Sequence, residues 1–139
     1  MAEFSTNRRR HIEVLLEKAA QDEAALGALL QHDATAPEVL GFHAQQATEK
    51  LLKAAIKAVG MEFPLTHRLS ALCDILRDAG VAVPQAAADL EDLTPFAVEF
   101  RYDALPQEGS VVLDPDACRT RLAALRAWVV MLLGADPTE

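Results

Sequence analysis

The side chains of this chain that can bind or react fall in three short stretches. The first is Phe42-His43-Ala44-Gln45-Gln46-Ala47-Thr48-Glu49-Lys50-Leu51-Leu52-Lys53. Gln46, Glu49, Lys50 and Lys53 stand three or four residues apart, so on a helix they share adjacent turns and make one polar strip. Glu49 and Lys53 are a favourable i,i+4 pair with the acid first. Such a strip is either a solvated helix face or, with His43 at its head and an apolar face beside it, the lining of a cleft. The second stretch is Thr66-His67. At a helix start, His67 either hydrogen-bonds across to another helix or takes an anionic group with help from the helix amides. The third is Phe100-Arg101-Tyr102-Asp103. Arg101 is suited to brace a carboxylate such as Glu49 or to hold a phosphate. Tyr102, the only tyrosine, can pack its ring in a core and offer its hydroxyl to a partner. His43, Gln46, Glu49, Lys50, Lys53, His67, Arg101 and Tyr102 are therefore the candidate ligand- or partner-binding set.

Much other chemistry is absent. There is no HExxH and no paired cysteine spacing, so no metal ligands and no cofactor are expected. There is no GxSxG and no glycine-rich phosphate loop. Cys73 and Cys118 sit on apolar helical patterns and are expected to be reduced and buried. The net charge of −8 opposes broad binding to a phosphate backbone, so extended nucleic-acid binding is not expected. The local exception is Arg8-Arg9-Arg10, either a solvated face or a contact to a nucleotide or an acidic partner. No secretory segment and no long apolar run is visible, which points to the cytoplasm rather than a membrane.

These residues need helices to position them. The 139 residues suit one domain, with a core from about residue 6 to 133, and the Ala- and Leu-rich composition favours helix. A first helix is expected from Thr6 to Gln31, with polar Gln21-Asp22-Glu23 as a bend. Pro37 opens a second helix that runs to Val59 and stops at Gly60. Thr66 is the expected N-cap of a third, which Gly80 ends. A fourth spans Pro84 to Glu99, with Pro95 kinking or splitting it. A long polar loop covers Arg101 to Leu113. Asp114-Pro115 starts a last helix, closed by Gly134. The expected architecture is all-α, a five-helix up-and-down bundle.

At this point the order of motifs resembles a known family. His43-Ala44-Gln45-Gln46-Ala47-Thr48-Glu49-Lys50-Leu51-Leu52-Lys53-Ala54, then Gly60, then Thr66-His67-Arg68-Leu69, then Leu90, Leu93 and Arg101-Tyr102-Asp103 are similar to the pattern of prokaryotic HEPN domains, the type found beside minimal nucleotidyltransferases. The resemblance implies a helical bundle that commonly forms a homodimer. It also implies one of three roles. One is a non-catalytic interaction module partnered with a nucleotidyltransferase in a two-component, toxin–antitoxin-like system. Another is a nucleotide-binding domain acting alone. The third is a metal-independent ribonuclease with an Arg, four to six intervening residues and then a His, the Arg and His of two protomers facing each other across a dimer cleft. Arg101 matches the motif Arg, but the His positions hold Pro106, Gln107 and Glu108. A ribonuclease here would need His43 or His67 as a substitute base.

Overall fold

The computed structural model describes residues 2–32, 34–97 and 114–134, with side chains from Thr6 onward. Its elements are α1 (Ala2–Leu29), α2 (Pro37–Ala58), α3 (Leu69–Asp78), α4 (Gln85–Leu90), a 3-10 turn (Glu91–Phe96) and α5 (Pro115–Gly134). No strand occurs among the described residues. This is the all-α five-helix bundle expected from the sequence.

Helix α2 is the axis on which the other elements pack. Its 22 residues make a rod about 33 Å long. Leu51, Leu52, Ala54, Ala55 and Ile56 are all fully buried, so α2 meets neighbours around most of its circumference. Alanines at 44, 47, 54 and 55 let those neighbours come close. Gly41 gives the closest approach. A side chain there would meet the Phe96 ring at 2.3 Å, so the aromatic ring lies directly on the α2 backbone. Helix α1 runs antiparallel to α2, its first turns beside the end of α2 and its middle beside His43 and Lys50. Helix α5 runs antiparallel to α1: Arg119 reaches Gly27, and Arg126 pairs with Glu23 and donates to the Leu16 carbonyl at 3.2 Å. Ile12, Ala19 and Leu26 from α1 join Leu122, Leu125 and Val129 from α5 in the core. The short α3 and α4 add Leu69, Leu72, Leu76, Ala87 and Leu90 to it.

The element boundaries follow local chemistry. Gly60 and Gly80 both sit at φ +83. At the first, Met61 N–H donates to Ile56 and Gly60 N–H to Lys57; at the second, Val81 N–H donates to Leu76 and Gly80 N–H to Arg77. Both are Schellman closures, which need the left-handed residue that glycine supplies without strain. Asp114 Oδ1 accepts from the Ala117 N–H at 3.2 Å and caps α5. Pro95 splits the fourth helical segment, as expected: α4 ends at Leu90 and the chain continues as the 3-10 turn.

Two local expectations are corrected. Helix α1 passes through Gln21-Asp22-Glu23 without a break. Those polar residues mark where α1 reaches its neighbours: Asp22 pairs with α2 and Glu23 with α5. The N-cap of α3 is Arg68, not Thr66. Thr66 Oγ1 instead accepts from the Arg68 N–H at 3.1 Å, and the first helical N–H, from Leu69, donates to Thr94 Oγ1. A hydroxyl 25 residues away thus does the work a local cap would have done. Cys73 and Cys118 are buried, reduced thiols. Burial, followed by the neighbouring Glu91 carboxylate, pushes Cys73 up to about 12. Burial likewise raises Cys118.

Candidate functional site

Six of the eight candidate residues come together along α2 and the connection to α3. They form two carboxylate-centred clusters. The first is built on Asp22 of α1. His43 Nδ1 lies 3.0 Å from Asp22 Oδ1, and Lys50 Nζ donates to Asp22 Oδ2 at 2.5 Å. His43 and Lys50 are seven residues apart, two helical turns, so they share a face and close on one carboxylate from above and below.

The second cluster is built on Glu49 of α2, which is only 5 % exposed. Lys53 Nζ donates to Oε2 at 2.9 Å, in the i,i+4 geometry expected from the sequence. Gln45 Nε2 donates to Oε1 at 3.0 Å, and His67 Nδ1 stands 2.9 Å from the same oxygen. Gln45 Nε2 also contacts the His67 carbonyl at 3.3 Å, and Gln46 Nε2 donates to Gln45 Oε1 at 2.7 Å. Burial pushes the Glu49 carboxyl up. The hydrogen bonds from Lys53, His67 and Gln45, with the Lys53 charge, outweigh burial and hold it below the usual glutamate range. Glu49 is therefore ionised at neutral pH and can only accept, so His67 Nδ1 carries a proton. The other ring nitrogen, Nε2, is left for something else. His67 is 38 % exposed, so that nitrogen sits at the rim of the cluster rather than in the core.

The strip on α2 is thus neither an ordinary solvated face nor an open cleft lining. Glu49 is buried, and Gln46, Lys50 and Lys53 are half-buried and engaged in polar contacts. His67 lies in the segment before α3 rather than in its first turn, so its partner is Glu49 and not the helix amides. Arg101 and Tyr102 lie outside the described residues, as do Pro106, Gln107 and Glu108. Asp22 and Gln45 are members that the sequence did not single out. Asp22 carried one signal, a charged residue interrupting an apolar helix; Gln45 carried none. Among the described residues no three His, Cys, Asp or Glu side chains are grouped to hold a metal ion. No described helix is long and apolar enough to cross a membrane.

Comparison with protein families matches the HEPN domain model to residues 12–127. The chain belongs to the HEPN family. The match runs from Ile12 within α1 to Ala127 within α5 and takes in both carboxylate clusters. Neither curated proteins nor solved structures give a match. In this HEPN chain the His-Gln-Gln-Glu-Lys-Lys series of α2 is the internal wiring of the bundle, with His67 as its outlet.

Proposed function

We propose that this HEPN chain is a non-catalytic interaction module, homodimeric, and the partner of a minimal nucleotidyltransferase in a two-component system. The observation that carries this reading is the fate of its histidines. None follows His67, so Pro106, Gln107 and Glu108, where the motif His would follow Arg101, lack the proton carrier a metal-independent ribonuclease needs. The two histidines that would have to replace it, His43 and His67, each spend one ring nitrogen on a carboxylate. Their neighbours Lys50 and Lys53 are likewise held by Asp22 and Glu49. These groups hold α1, α2 and the segment before α3 in register, and a rigid surface is what a protein partner needs.

The test is recovery of the tagged chain from lysate of its source organism, with identification of what accompanies it. A stoichiometric nucleotidyltransferase is the expected result. Recovery of the chain alone contradicts the two-component role. Saturable ATP binding that Lys50→Ala weakens would then put stand-alone nucleotide binding in its place. Metal-free RNA cleavage that Arg101→Ala abolishes would overturn the non-catalytic reading.

A further inference from the structure

The chain has four histidines, and they differ in what holds each ring and what is left of it. His11 and His32 are exposed and have no carboxylate hydrogen bond among the described residues. His43 meets Asp22 through Nδ1, is 25 % exposed, and has the Phe42 ring edge-on at 5.3 Å. His67 meets the buried Glu49 through Nδ1 and keeps 38 % of its side chain in solvent. With Nδ1 turned inward, that exposure falls on the Nε2 edge of the ring. Nε2 has no hydrogen-bond partner among the described residues. The anchor behind the ring is firm. Glu49 also accepts from Lys53 and Gln45, and the fully buried Gln45 accepts from Gln46. A carboxylate on one nitrogen of an imidazole fixes the tautomer and makes the other nitrogen more basic and more nucleophilic. Holding the segment before α3 in place uses Nδ1 alone. The same arrangement leaves a fixed, electron-rich Nε2 facing water.

We propose that His67 Nε2 is a phosphoryl-acceptor site, charged by an activated donor of the acyl phosphate class. The Nε2 lone pair attacks phosphorus, the P–O bond to the acyl oxygen breaks, and a carboxylate leaves with the bonding pair. No proton has to move: Nδ1 keeps its own, and the positive charge that gathers on the ring is met by Glu49. Glu49 is thus a positioning residue. Two observations favour a phosphoryl group over a neutral electrophile. Lys53 Nζ holds the other Glu49 oxygen at 2.9 Å, so an anionic donor approaching the outer ring edge does not meet a bare carboxylate behind it. Arg68, the next residue, is exposed and has no ion pair among the described residues, and Thr66 Oγ1 fixes its backbone by accepting from its N–H at 3.1 Å. A guanidinium beside the ring suits phosphoryl oxygens. The product places about two negative charges on the segment joining α2 to α3. This site stands whether or not the chain has a protein partner.

The experiment incubates the full-length chain with acetyl phosphate at about pH 8, where free imidazole is neutral, and maps the label by mass spectrometry and phosphorus-31 NMR. The expected result is a phosphoryl group on Nε2 of His67, formed about tenfold faster than on His11, His32 or His43. Mapping in the wild-type chain needs no variant, so loss of fold cannot mask the outcome. Two variants then divide the roles. His67→Gln removes the fast label and leaves the slow ones unchanged. Glu49→Gln slows labelling of His67 and spreads the label over both ring nitrogens, a change that a purely structural glutamate would not produce. Four histidines labelled at one rate, no label on His67, or a label on its Nδ1 in the wild-type chain overturns the proposal.

Discussion

The clusters on Asp22 and Glu49 contain the same parts, a carboxylate with one histidine and one lysine, and they use them differently. Asp22 receives both its partners from another helix, 21 and 28 residues further along the chain. It is a clamp between α1 and α2. Glu49 takes Lys53 and Gln45 from its own helix, at four residues either way, and reaches off the helix only to His67. It is more deeply buried than Asp22, with side-chain exposures of 7 % against 13 %. The comparison teaches that the same triad of residue types ties helices together when the carboxylate comes from a neighbour. When the carboxylate and its lysine share one helix, the triad instead fixes the ring before the next helix.

Substitutions can break this comparison. The largest effect is expected for Glu49→Ala, which leaves Lys53 and Gln45 without their buried acceptor and should cost about 3–5 kcal/mol by denaturant unfolding. Asp22→Ala removes an inter-helix clamp whose partners can turn to water, and about 1–3 kcal/mol is expected. If the two costs prove equal, burial is not what separates the clusters. Gly41→Ala forces the Phe96 ring off the α2 backbone one turn before Gln45 and should cost about 1–3 kcal/mol through packing alone. Smallest is Lys50→Ala, one partly exposed ion pair, at about 0.5–1 kcal/mol.

Acid sharpens the comparison. The folded Glu49 carboxyl lies below its ordinary value. Its contribution to stability is therefore complete above the unfolded value and is lost as pH falls through the folded one, in the region below about pH 4. Glu49→Gln should be less stable than wild type at neutral pH, and the gap should narrow as the pH falls through that range. Melting temperatures across an acid series check this. A gap that stays constant would mean that Glu49 is not the charged acceptor described above.

Much of this architecture was legible in the residues. Gly60 and Gly80 read as helix stops, Asp114-Pro115 read as a helix start, and Pro95 was expected to kink or split its segment. Each of these signals is local: one residue's allowed dihedrals or one missing N–H. The Glu49–Lys53 pair was legible for the same reason, since four residues is one helical turn. What was not legible depends on packing between elements. Asp22 reads as a polar interruption until α2 is placed beside it. Thr66 reads as a cap until Thr94 is seen to supply the bond. Gln45 is one of two adjacent glutamines, and only the fold shows that it is the one turned inward, fully buried between Glu49 and the His67 carbonyl.

The central claim is that an ionised, buried Glu49 fixes the His67 ring with Nδ1 protonated and Nε2 turned outward. Nitrogen-15 NMR of the His67 side chain at about pH 8, where free imidazole is neutral, tests it most directly. The account predicts a proton on Nδ1 and a bare Nε2, with that preference lost in Glu49→Gln. A proton on Nε2 in the wild-type chain, or a tautomer unchanged by Glu49→Gln, would contradict it.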